Sequence, residues 1–225
     1  TVVMTRPGYP AYRNCLAALG CRVVEIDCGL QTRYQPTVAM LEAFLQEEGQ
    51  PPAGLIVASP ANPTGTIIDA RELEALALWC EANGTLLISD EIYHGLSYGD
   101  QMTSSAWEFS RESVVMGSVS KYFSMTGWRL GWMLVPRRFL RAVDRLSSNF
   151  TICPPAVSQY GALAAFSPEA RVELDGHVRR YAANRTLLIS GLANAGITKI
   201  APPDGAFYAY ADIEHLTGNA EQWCA

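Results

Sequence analysis

Six short runs of aliphatic and β-branched residues recur along the chain, at Thr1–Thr5, Arg22–Ile26, Leu55–Ser59, Thr85–Ser89, Val114–Ser118 and Leu130–Val135. Several are near-continuous runs of Val, Ile and Leu rather than alternating ones, the pattern of strands covered on both faces. Between them lie segments of helical spacing. In one, Leu73, Leu76, Ala77 and Cys80 follow at i, i+3, i+4 and i+7, Asp69 and Glu72 form a D-x-x-E start, and Gly84 marks the end. Leu55–Ser89 is thereby predicted to be a βαβ crossover. The predicted fold class is α/β: a mostly parallel central sheet with helices on both faces, plus the start of a smaller α+β C-terminal domain. The expected division is 1–150 for the large domain and 151–225 for an interdomain helix, around Glu169–Ala193, and the beginning of the small domain. In that second part AFYAYADI reads as a strand.

Composition narrows the class of partner. With 225 residues, 49% apolar and 17% charged, the chain can bury a substantial core. A net charge of −5 and the absence of a basic run argue against nucleic acid and anionic membrane surfaces, leaving a small molecule as the expected ligand. No apolar stretch approaches the ~20 residues needed to cross a bilayer, and the opening TVVMTRPGYP lacks a signal-peptide pattern, so a cytoplasmic location is expected. The six cysteines form no C-x-x-C pair, which speaks against a zinc site or a disulfide framework and predicts buried free thiols. The chain opens without methionine and stops at EQWCA, so a piece of a longer protein is expected.

In an open α/β sheet, ligands lie beyond the carboxyl ends of the strands, and three such ends carry polar sequences. PANPTG follows the third run, DEIYHG the fourth, and SVSKYFSMTGWR the fifth. Taken singly, the first is a turn, the second a helix cap beside a packing tyrosine, and the third a serine-rich loop with a surface lysine. Yet of 17 basic residues only two are lysines, and Lys121 sits among serines, glycines and aromatics. The three ends each supply a different chemical need of one ligand, pyridoxal phosphate. Lys121 offers the amine for a Schiff base, and Asp90 a carboxylate for the ring nitrogen. Tyr93 and Asn62 offer hydrogen-bond donors for the 3′-oxygen, and Ser118 with Arg129 a hydroxyl and a forked cation for the phosphate. His94, His177 and His215 are expected to play no chemical part, and the Met and aromatics of YFSMTGW to pack around the site.

The segments ASPANPTG (58–65), SDEIYHGLSY (89–98) and SVSKYFSMTGWRLG (118–131) resemble the class I/II aminotransferases, the aspartate aminotransferase family of fold type I. PGYPAYRNCLAALGCRVVEI (7–26) resembles the family segment whose aromatic residue stacks on the cofactor ring, which implies that role for Tyr9. GAFYAY (205–210) resembles a strand of the family's small domain. The resemblance implies an enzyme that moves an amino group between an L-amino acid and a 2-oxo acid through a Lys121 Schiff base, with Lys121 later carrying the α-proton. It implies Asp90 as the ring-nitrogen partner, Asn62 and Tyr93 at the 3′-oxygen, and Ser118 and Arg129 at the phosphate. It also implies a homodimer and a cis Asn62–Pro63 bond. A phosphate-binding loop is expected upstream of Thr1 and a substrate-carboxylate arginine downstream of Ala225, so the isolated chain is expected to be inactive. Two other readings stay open on the cofactor contacts alone: a β-lyase, decarboxylase or synthase on the same scaffold, or an aminotransferase-like sensor domain of a transcription regulator.

Overall fold

The computed structural model describes residues 1–224. Its strands are β1 (Val2–Arg6), β2 (Val23–Asp27), β3 (Gly54–Ala58), β4 (Leu86–Asp90), β5 (Val114–Ser118) and β6 (Gly131–Leu134). They form one sheet in the order β2-β1-β3-β4-β5-β6. All neighbours are parallel except β5 and β6, which pair antiparallel with Ser118 opposite Gly131. Each expected strand is present, shifted by at most one residue at either end. The helices are α1 (Pro10–Ala18), α2 (Val38–Glu48), α3 (Ala70–Ala82), α4 (Ala106–Phe109), α5 (Leu140–Phe150), α6 (Ala156–Ala165), α7 (Pro168–Asn194) and α8 (Ala220–Cys224).

The core lies at the middle of the sheet. Val3, Leu55, Val57, Leu87 and Val115 pack against Leu41 of α2 and Leu73, Leu76 and Cys80 of α3. Burial of each such side chain stabilises by roughly 1.5–3 kcal/mol, and the parallel strand ends are thereby held in fixed register. The α3 start is capped by the Asp69 side chain, which accepts from Arg71 N–H at 2.9 Å. The reciprocal capping box occurs instead at α4, where Ser105 and Glu108 exchange bonds. Across β5 and β6 the close approach needs a glycine: a Cβ on Gly117 would lie 2.3 Å from the Trp132 indole.

Two expectations fail. AFYAYADI is not a strand: residues 203–208 run as an irregular arm, with single bridges from Ser97 to Gly205 and from Ile200 to Ala211. Ala206 has φ +56°, which breaks an extended run. The thiols are free, yet only Cys28 and Cys80 are buried, while Cys15, Cys153 and Cys224 are exposed. Cys15 lies on α1, which has no buried residue, so apolar character alone did not take it inside. Burial pushes the Cys28 and Cys80 thiols up to about 11 and about 12. No helix among the described residues is long and apolar enough to cross a membrane.

Candidate active site

Parallel register brings the polar strand ends to one edge. Ala58, the last residue of β3, pairs with Asp90, the last of β4, and Asp90 pairs with Met116 of β5. Because β6 returns antiparallel, its leading residues Arg129 and Leu130 come back to the edge where β5 ends at Ser118. The loop between them carries Lys121. Residues separated by dozens of positions thus meet because sheet order makes their strands neighbours.

Two cavities open at this edge and share Tyr12, Asp90 and Ile92 in their walls. The first, about 310 Å³, is lined by Tyr9, Asn62, Asp90, Tyr93 and Lys121. The second, about 440 Å³, is lined by Asp90, Ser118, Ser120 and Arg129. All seven residues singled out from the sequence therefore line one cavity or the other. Such volumes fall in the range of small-molecule sites. A third cavity, about 170 Å³, lies between α7 and the 203–208 arm, but its arginine is committed: Arg185 Nε donates to Pro203 O at 2.6 Å.

The Asp90 carboxyl is held on both oxygens. Oδ1 accepts from Ile92 N–H at 3.2 Å and Oδ2 from the Tyr12 hydroxyl. Burial pushes it above the ordinary carboxylate range, while the bonds from Tyr12 and Ile92 and the charge of Lys121 pull it down. A half-buried carboxylate that is costly to leave unpaired suits a cationic partner in the cavity. Tyr93 is 3% exposed, and burial followed by its bond with Tyr208 raises its phenol well above the ordinary value. Lys121 Nζ lies 5.4 Å from the Tyr93 ring centre and 5.8 Å from that of Phe207. The Lys121 amine is thus bordered by aromatic faces. Lys199, the other lysine, is an exposed residue 3.4 Å from Asp212.

Beside it, Ser118 Oγ donates to Ser120 Oγ at 2.8 Å or to Leu130 O at 3.1 Å, and accepts from Ser120 N–H at 3.0 Å. Arg129 takes a left-handed conformation at φ +53°, with Nη1 donating to Thr126 O at 3.0 Å. The Asn62–Pro63 bond is cis. His94 lies outside the cavities, 3.5 Å from Glu91, and burial lowers its pKa. Met125 is buried with Val119 and Ala162, against Phe123 and Leu130, as expected of packing residues.

Three polar side chains of the cavities escaped the sequence reading. Ser120 was in plain view between Ser118 and Lys121. Tyr12 stands three residues after Tyr9, one turn into α1, a spacing that puts both rings on one face; they meet edge to face at 5.4 Å. Tyr208 had no local signal, since it reaches the site only through the arm that returns across the sheet end.

The chain is similar to known proteins along its whole described length. The aminotransferase class I and II family model matches residues 1–224. A valine–pyruvate aminotransferase of Mycobacterium tuberculosis is 57% identical over 100% of this chain, which spans 57% of that protein. A crystal structure of an aminotransferase from the same organism superposes with TM-score 0.95 at 57% identity, over 99% of this chain and 57% of that one. A double mutant of the Thermus thermophilus aspartate aminotransferase gives TM-score 0.89 at 29% identity, over 96% and 56%. The chain thus spans little more than half the length of these relatives.

Proposed function

Since the chain belongs to the class I and II aminotransferases, we propose that it is the cofactor-binding part of a pyridoxal-phosphate-dependent transaminase. The full-length protein would move an amino group between an L-amino acid and a 2-oxo acid. The observation that carries this reading is the convergence of Lys121, Asp90, Tyr93 and Asn62 on one cavity. The donor set fits the cofactor: one amine, one half-buried carboxylate and neutral donors in the first cavity, then serine hydroxyls and a guanidinium in the second. We read residues 1–150 as the large domain and the rest as the start of the small one.

When bound, pyridoxal phosphate supplies the electron-withdrawing ring that makes the α-hydrogen of an amino acid acidic. The residues of this chain divide the remaining work. Lys121 would hold the cofactor through its amine and would be the base that takes up the α-proton and gives it back. Asp90, its carboxylate fixed in place by Tyr12 and Ile92 N–H, would hold positive charge at the ring nitrogen. Tyr93 and Asn62 would donate to the 3′-oxygen, Tyr9 would lie against the ring, and Ser118 and Arg129 would bind the phosphate. The name of the mycobacterial relative makes valine and pyruvate the first pair to assay.

Borohydride reduction of the cofactor-loaded full-length protein, followed by peptide mapping, tests the assignment. The pyridoxyl group is expected on Lys121 alone. An adduct on Lys199, or none, would refute it.

A further inference from the structure

The 203–208 arm is fastened to the sheet end by a set of bonds whose joint effect is to place one phenol. Asp204, 9% exposed, accepts on one carboxylate oxygen from Arg33 Nη2 at 2.5 Å and from Ile67 N–H at 3.2 Å. Its carbonyl accepts from Tyr98 N–H at 2.7 Å. Gly205 N–H donates to Gly65 O at 2.8 Å, Ala206 N–H to Leu96 O at 2.9 Å, and the Tyr98 hydroxyl to Ala206 O at 2.5 Å. Held in this way, Ala206 keeps a left-handed φ of +56°, a conformation an alanine adopts only when its surroundings impose it. The next two residues close on Tyr93. The rings of Phe207 and Tyr208 meet the Tyr93 ring edge to face at 5.5 and 5.7 Å, and the Tyr208 and Tyr93 hydroxyl oxygens are 2.5 Å apart.

Between two hydroxyls at that distance, one donates and the other accepts, and the direction decides what Tyr93 can do. If Tyr93 gave its proton to Tyr208, it would have none for a ligand. If Tyr208 donates, Tyr93 is left with a free O–H whose strength as a donor is increased by the bond it accepts. We propose that Tyr208 is a positioning residue for the transaminase reading above, on which this inference rests: its hydroxyl donates to Tyr93 Oη and commits the Tyr93 proton to the 3′-oxygen of the cofactor. The groups that face Tyr93 from the other elements are Asp90 on β4, Tyr9 and Tyr12 at the start of α1, and Lys121 on the β5–β6 loop. Asp90 accepts from Tyr12. Tyr208 is thus the neighbour seen hydrogen-bonded to the Tyr93 hydroxyl.

The readout is the pH midpoint of the visible absorbance of the cofactor-loaded full-length protein. A hydrogen bond from Tyr93 withdraws charge from the 3′-oxygen. Losing that bond lets the proton shared by the Lys121 nitrogen and that oxygen persist to higher pH. Tyr93→Phe is expected to raise the midpoint by about one unit. Tyr208→Phe, which keeps the ring and its packing, is expected to raise it by about 0.3 unit. The double variant should match Tyr93→Phe alone, since Tyr208 acts only through Tyr93. An unchanged midpoint in Tyr208→Phe, or additive shifts in the double variant, would overturn the proposal while leaving the cofactor assignment standing. Failure of the unsubstituted protein to develop a visible band with pyridoxal phosphate would instead overturn the transaminase reading and this inference together.

Discussion

The strand-end loops and the 203–208 arm bring side chains to the same cavity by different physical means. Asp90 and Ser118 are terminal residues of β4 and β5, and Lys121 follows three residues after β5. Their places are set by the register of a sheet whose centre is fully buried, with Val3, Leu55, Val57 and Leu87 each no more than 1% exposed. Phe207 and Tyr208 have no sheet of their own. They are placed by separate hydrogen bonds to Gly65, Leu96 and Tyr98 and by the Arg33–Asp204 ion pair. Substitutions at the strand ends should therefore remove chemistry and leave the fold, whereas substitutions under the arm should loosen geometry and leave the reactive groups in place.

The largest effect is expected at Lys121. Lys121→Arg keeps the charge but offers a guanidinium that does not lose its proton near neutral pH. Turnover of the full-length protein should be abolished and the borohydride-reducible adduct should vanish, with the melting temperature unchanged. Measurable transamination by this variant would end the strand-end side of the comparison. Next is Asp90→Ala, which would remove the proposed counter-charge for the ring nitrogen. Single-turnover kinetics should show α-proton removal slowed by about 10²–10³-fold or more, with pyridoxal phosphate still attached at Lys121.

Asp204→Ala tests the other region. It leaves Arg33 and the Ile67 N–H without their buried acceptor, a loss of about 2–3 kcal/mol. Denaturant unfolding should show this loss, and amide exchange should quicken at Gly205 and Ala206. If stability and exchange were unaffected, the arm would owe its place to something other than these bonds.

The smallest effect is a pH dependence. In cofactor-free protein, burial holds the Asp90 carboxyl above its ordinary range in spite of Tyr12, Ile92 N–H and Lys121. A raised carboxyl favours folding in its protonated form. Its contribution is fully present below the ordinary value of about 4 and is lost as pH rises through the folded-state value. Asp90→Asn stays neutral throughout, so its stability relative to the parent should increase as pH rises above about 4. Thermal melts across that range should show the gain, and a constant difference would mean that Asp90 is solvated rather than confined.

Family membership and most of the polar lining of the two cavities were legible in the chain itself. The apolar runs announced buried parallel strands because a strand covered on both faces has no polar side to display. Pro63, Asp90, Lys121 and Arg129 stood where strand ends are followed by turns, and chemistry-bearing residues gather at such points in an α/β sheet. The irregular course of AFYAYADI was not legible, because its apolar residues suit a strand and the left-handed Ala206 is imposed by distant partners. Nor was the pairing of Tyr12 with Asp90, 78 positions apart, or of Tyr93 with Tyr208, 115 apart. Local sequence determines which segments can become strands, helices and turns, since propensity and hydrophobic spacing act within a few residues. Which phenol meets which carboxylate or hydroxyl is decided by sheet order and by bonds between remote segments, and only the folded chain brings those into being.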